Sequence, residues 1–206
     1  KVNLKALHEM AKIAPKNDVR YYLNGVYVEI HPYESRYTVT TGAYLIQYRH
    51  EVDNSGSEPV SLIIPREVLV KLKPHGFLDA HLSSLGEEYI LDNNKNYKLI
   101  FKPVDGVYPD YRKILPKQEN VTVGNPNGDA FNFDYLATLK DCMGGIFLSS
   151  TTRLLYNKAK EGPAYVLTSD PNIIGVIMPI LIEETSDLPG WIFETPKPKA
   201  PESTSE

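Results

Sequence analysis

Any chemistry in this chain has to come from five histidines, one cysteine and a scatter of carboxylates. The histidines are His8, His31, His50, His75 and His81, and none forms an H-E-x-x-H or H-x-H array, so no zinc motif is present. Cys142 is the only cysteine, which excludes an intramolecular disulfide and a four-cysteine zinc site. Beside Met143 in an apolar stretch it reads as a small buried hydrophobe. The phosphate loop G-x-x-x-x-G-K-[ST], the dinucleotide motif G-x-G-x-x-G and the nucleophile elbow G-x-S-x-G are all missing. Asp105 and Asp110 bracket Pro109 and could share a metal or acid–base work, but capping of turns is the commoner duty of such residues. Glu183-Glu184 reads as a solvated pair at a strand end. The expectation is a non-enzyme with no metal and no cofactor. Binding chemistry remains: the Arg20-Tyr21-Tyr22 run, the hairpin around Gly42, the Tyr108 to Pro116 loop and the apolar last strand. Arg and Tyr together suit phosphate contact and base stacking. They equally suit a protein interface, and sequence does not rank the two uses.

Bulk composition narrows the class. With 206 residues, 42% hydrophobic and 23% charged, the chain is of ordinary globular make-up and can bury a core without staples. Tyrosine is over-used, 14 against 6 Phe and 1 Trp, which suits half-exposed strands and interfaces. A net charge of -4 argues against a tight, whole-surface nucleic-acid binder but not against weak or topological DNA association. The opening KVNLKALHEMAKIA is mixed and amphipathic and carries no leader signature, and a start without Met reads as processed or cut from something longer. The most apolar run, residues 173–182, is too short to span a bilayer as a helix. The expectation is a cytoplasmic protein with no membrane partner.

The elements that would position these residues follow from periodicity. Leu4, Leu7, Met10, Ala11 and Ile13 give an amphipathic helix over the first dozen residues, stopped near Pro15. RYYLNGVYVEIH, broken at Asn24-Gly25, reads as a hairpin-like strand pair, and residues 36–49 as a second hairpin turning at Gly42. Residues 60–64 read as a strand, and Pro65 opens a helix over REVLVKLK that Pro74-His75-Gly76 ends. Strands are expected over 78–82, 88–91 and 97–102, with turns at Gly86 and Asn93-Asn94. The segment 104–116, VDGVYPDYRKILP, has little room for regular structure and reads equally as an ordered linker or a binding loop. Further on come a strand over 120–123, a helix over 133–143 with Asn132 or Asp134 near its start, and strands over 146–148, 153–156, 164–167 and 173–182. The order of elements repeats as helix-plus-strands units, an α+β arrangement with helices packed on antiparallel sheets. The tail ETPKPKAPESTSE cannot bury enough apolar area to order itself, and Trp191 and Phe193 before it read as packing back on the body or as a short linear anchor.

Several of these stretches carry a family likeness. DVRYYLNGVYVEI at 18–30 resembles the opening of the middle domain of the bacterial sliding clamp, the beta subunit of DNA polymerase III. DGVYPDYRKILP at 105–116 resembles the segment joining that family's middle and last domains. Ile63-Ile64-Pro65-Arg66, NFDYLATLKD and VIMPI at 176–180 are supporting matches. The likeness implies about one and a half clamp domains: a complete one at 1–116, a half domain of helix plus strands at 117–186, and a flexible Pro/Glu/Ser-rich tail at 187–206. A family subunit has three full domains, so this looks like a shortened form, of the kind a phage encodes.

The resemblance implies a processivity or scaffold protein of DNA replication. Its partners would be DNA polymerase, clamp loader or repair proteins bound through short linear motifs, and double-stranded DNA held weakly or topologically, with a homo-oligomer closing the ring. The alternative is a non-ring module that binds clamp ligands or a host clamp. Carried over by position, the peptide groove would be lined by Leu23, Thr40, Gly42, Ala43, Tyr44, Leu45, Pro109, Lys113, Ile114, Val176, Met178, Pro179 and Ile180. Gly42-Ala43-Tyr44-Leu45 departs from the family's Gly-His-Arg-Leu, so Tyr44 is a candidate to fill the groove or alter its specificity. DNA contact would fall to Arg20, Tyr21, Tyr22, Lys5, Lys12, Arg66, Lys71 and Lys73.

Overall fold

A computed structural model describes residues 1–74, 78–95, 97–147 and 151–182. The expected helix end at His75-Gly76, Leu148, Glu183-Glu184 and the tail with Trp191 and Phe193 lie outside the described residues. The order is β1 (Val2–Asn3), α1 (Leu4–Ile13), β2 (Gly25–His31), β3 (Glu34–Thr40), β4 (Tyr44–Glu51), β5 (Val60–Pro65), α2 (Arg66–Leu69), β6 (Asp79–Leu85), β7 (Glu88–Asp92) and β8 (Lys98–Phe101). After the 104–116 segment follow β9 (Val121–Thr122), α3 (Phe133–Ile146), β10 (Arg153–Asn157), β11 (Ala164–Leu167) and β12 (Ile173–Ile177). No helix among the described residues is long and apolar enough to cross a membrane.

Local chemistry sets the helix ends. The Asn3 side chain accepts from the Ala6 amide and satisfies one of the donors a helix start leaves unpaired. Ala14 is extended (φ -60°, ψ 141°), the conformation its successor Pro15 imposes, and α1 stops there. Asn132 caps α3 by accepting from the Asp134 amide. Three expectations are corrected. Residues 20–31 are not a strand pair: Asn24 accepts from the Asp18 amide and donates to the Asp18 carbonyl, which closes residues 18–24 into a loop, and only β2 is a strand. The helix after Pro65 is four residues long, not eight. In addition, Ile146 belongs to α3 and does not begin a strand.

Every strand pairing between named strands is antiparallel. The smaller sheet runs β1-β6-β7-β8 and the larger β5-β2-β3-β4-β12-β11-β10-β9. The seam of the larger sheet pairs Leu45 with Val176 and Ile46 with Gly175, so the segments before and after residue 116 share one sheet. Alternation sorts its two faces. Val26, Val28, Tyr37, Val39, Ile46, Ile173 and Ile177 are buried with α1 and α3 in one core, which the smaller sheet enters through Val2, Ala80, Leu91 and Phe101. Tyr27, Leu45, Tyr165 and Val176 lie on the opposite face.

Candidate functional site

That opposite face is crossed by the 104–116 segment, which is tied down by tyrosines. Tyr108 stacks on Tyr27 of β2 with centroids 4.7 Å apart and planes 4° apart, and its hydroxyl donates to the Thr38 carbonyl. Burial pushes the Tyr108 phenol well above its usual range. The Tyr111 hydroxyl donates to Glu29 at 2.7 Å, and Arg112 donates to the other oxygen of the same carboxylate at 2.7 Å. The Arg112 guanidinium lies 4.5 Å from the centroid of the Tyr111 ring. Burial, then the bond to Glu29, raises the Tyr111 phenol to about 12. On the far side of the seam Tyr165 of β11 donates to the Pro116 carbonyl at 2.8 Å. The segment is thus an ordered strap from β2 to β11.

Under the strap, Leu45, Val176 and Tyr111 form one buried cluster, with Tyr27, Leu115 and Tyr165 packed against it. Leu23, Ile63 and Tyr108 form another. Thr40 is buried, and its hydroxyl donates to the Tyr44 carbonyl while accepting from the Gly42 amide. Gly42 has φ +94°, a conformation that favours glycine, and the Arg20 guanidinium donates to the neighbouring Thr41 carbonyl. The Met178 amide donates to the Ala43 carbonyl, which fixes the chain after β12 beside this turn. Pro179 is half-buried, and Ile180 is exposed and donates to the Ala130 carbonyl. Pro109, Lys113 and Ile114 are exposed on the strap, with Lys113 3.6 Å from Asp110. Leu23, in the turn before β2, and Thr40, Leu45 and Val176, on the strands, are all buried, while Ile114 of the strap and Ile180 of the chain end are exposed.

Tyr44 does not fill this face. Alternation turns it toward the helices, where its ring meets Tyr135 of α3 with centroids 5.5 Å apart. The DNA-contact candidates divide into two groups. Arg20 is exposed, with its guanidinium forked onto Asp18, whose carboxyl it holds down at about 2. Tyr21 and Tyr22 lie against Gly106 of the strap, where an added Cβ would come within 3.1 Å of each. The other five belong to the helix layer and the turn after it. Lys5 is half-buried, Lys12 pairs with Glu9 at 2.6 Å, Arg66 donates to the Ala14 carbonyl, and Lys71 and Lys73 are exposed. Cys142 is buried, and burial raises its thiol. Among the described residues no His, Cys, Asp and Glu side chains gather as a metal site. Sequence reasoning missed Tyr27, Glu29 and Tyr165, although the excess of tyrosine was a signal.

Residues 2–110 match the family model described as DNA polymerase III beta subunit, central domain. The chain is 35% identical over 126 residues to the beta sliding clamp of Proteus mirabilis, covering 58% of this chain and 34% of that protein. It is 35% identical over 104 residues to the beta sliding clamp of Escherichia coli K12, covering 48% and 28%. The chain therefore spans about a third of the length of these relatives. Among solved structures, the DNA polymerase III subunit beta of Pseudomonas aeruginosa superposes with a TM-score of 0.68 at 18% identity, covering 86% of this chain and 64% of that one. The sliding clamp of Bacillus subtilis gives 0.70 at 15%, covering 87% and 62%. Coverage of that extent takes in the unit after residue 116 as well as residues 2–110.

Proposed function

The chain belongs to the DNA polymerase III beta subunit, or sliding clamp, family, and from that premise we propose that it serves DNA replication as a non-catalytic processivity or scaffold protein that docks short linear peptides. What supports the docking reading is the convergence of four separate stretches on one face of the seam: Leu23, the Thr40 to Leu45 turn, the strap and the Val176 to Ile180 segment. The apolar side chains that these stretches leave exposed, Ile114 and Ile180, suit Leu and Phe anchors of an incoming peptide. Ala43 removes a basic contribution at one edge, so ligand preference moves toward apolar anchors. DNA polymerase, clamp loader and repair proteins are the partner class, and duplex DNA is held weakly or topologically by an oligomer. Arg20, Tyr21 and Tyr22 lie beside the groove, and the helix-layer lysines are the better phosphate screen.

The test is binding of a labelled peptide with Leu and Phe anchors, read by fluorescence anisotropy. Met178→Asp puts a charge beside the groove while leaving the backbone bond from residue 178 to Ala43 intact. We expect binding to fall by about tenfold or more, the scale of a buried anchor contact. Unchanged affinity with an intact fold removes the groove. A second reading, the non-ring interaction module, is favoured by the net charge of -4, which gives duplex DNA little to hold. It predicts peptide affinity with no retention on circular DNA; retention that linearising the DNA releases would sink it.

A further inference from the structure

The larger sheet reads the same from both ends. About the seam, β4 answers to β12, β3 to β11, β2 to β10 and β5 to β9. In the first domain the end strand is foreign to its neighbours: β5 opens the second strand–helix–three-strand unit and pairs with β2 of the first. In return β1, which opens the first unit, pairs with β6 of the second. The two units thus exchange their first strands. The third unit does not. β9 folds back onto its own β10, pairing Val121 with Asn157 and Thr122 with Tyr156.

The connections give the physical reason. β1 ends at Asn3 and α1 begins at Leu4; β5 ends at Pro65 and α2 begins at Arg66. With no residue between strand and helix, the strand cannot reverse onto its own unit and must reach the next. Between Thr122 and Phe133 lie residues 123–132, ten residues (132 − 122), with Gly124 and Gly128 both at positive φ. That connection is long and turned enough to bring β9 home.

The helix layer breaks the same symmetry. α1 has α2 on one flank, where His8 Nδ1 lies 3.1 Å from the Leu69 carbonyl. On its other flank is α3, where Gly145 lies so close to Glu9 that a Cβ would come within 2.5 Å of the carboxylate. α3 has α1 on one flank and, on the other, an apolar cavity of about 400 Å³. Phe133, Leu136, Lys140 and Met143 line it at helical spacing, with Leu154 and Val166 as its floor. Phe133 is 86% exposed. At the equivalent place beside α1 sits the α2 segment, with Leu69 and Leu72 buried.

We propose that this face pairs with the same face of a second copy of the chain, and that the two copies exchange β9, so that two half domains complete one clamp-type domain about a two-fold axis. The pseudo-symmetry names the occupant: the position opposite α2 needs a helix, and the position opposite β5 needs a strand that opens the unit carrying that helix. A second copy's β9 and α3 meet both requirements. Exchange remakes the pairs Val121–Asn157 and Thr122–Tyr156 between chains, so it sacrifices none of these strand contacts and gains closure of the cavity. In that dimer the two third units make up one shared domain between them. The inference rests on strand order and not on the peptide groove; a chain that dimerises but binds no peptide overturns the groove alone.

Sedimentation of the 206-residue chain at micromolar concentrations gives the mass, and a double variant, Thr122→Cys with Tyr156→Cys, reports the partner of β9. The expected result is a species of twice the 23.2 kDa chain mass, linked between chains on a non-reducing gel. Phe133→Asp alters an exposed side chain and is expected to weaken the dimer about tenfold or more while leaving the circular dichroism unchanged. A monomer throughout, a disulfide closed only within one chain, or a dimer indifferent to Phe133→Asp overturns the proposal.

Discussion

Glu29 carries a carboxylate that is nearly closed off from solvent on the strap face of β2, and each of its oxygens has a donor, Tyr111 on one and Arg112 on the other. A buried carboxylate is costly unless it is paired and bonded, so the strap and the strand stabilise each other. Tyr111→Phe removes one donor and keeps the ring in its cluster with Leu45 and Val176. The oxygen it leaves without that partner should cost about 1–3 kcal/mol of stability, the range for an orphaned buried acceptor. The urea midpoint reads this directly, with the slope unchanged. A midpoint equal to that of the parent chain would mean that the Glu29 latch holds nothing. Gly42 illustrates a different constraint. Its positive φ makes the turn, and an added Cβ would meet the Arg20 guanidinium at 3.1 Å, so Arg20 rests on the turn it helps to hold.

At the scale of elements, what the sequence made legible is what period and capping control. α1, the turn at Gly42, β5, β11 and the Asn132 cap all follow from alternation, helical spacing or a side chain suited to a helix start. The losses occurred where a side chain competed with the backbone. Asn24-Gly25 is a strong hairpin signal, but Asn24 is engaged with both backbone groups of Asp18, and Leu23 is buried against Ile63 and Tyr108. The helix after Pro65 was overestimated because Val68 and Val70 are poor helix formers and only a short turn beyond Leu69 was needed to bury Leu72. α3 was underestimated at Gly144-Gly145, where glycine normally ends a helix; here Gly145 is the place at which α1 comes close. Family likeness singled out the Gly42 turn, the strap and the chain end, which local pattern alone did not connect. The latch was not, since Glu29 and Tyr111 are 82 residues apart and no local pattern links them.

At the scale of the whole molecule, sequence drew a boundary between residues 116 and 117, and the larger sheet runs across it. β4 pairs with β12 over five residue pairs, from Tyr44–Ile177 to Tyr48–Ile173. One hydrophobic core holds Leu7 and Val39 from one side of that boundary and Leu139, Cys142 and Ile177 from the other. The strap adds polar ties, from Tyr111 and Arg112 to Glu29 and from Tyr165 to Pro116 at its end. Units that share a sheet, a core and a strap cannot lose one part without exposing the apolar face of the other. Cooperativity follows from that burial. We therefore expect a single unfolding transition, with far-ultraviolet circular dichroism and tyrosine fluorescence tracking the same curve. If residues 117–182 instead formed an independent half domain, the two probes would separate, and a fragment ending at residue 116 would keep the stability of the whole chain. Coincident curves together with a destabilised fragment would make the seam, and not either unit, the element that holds the strap face in shape.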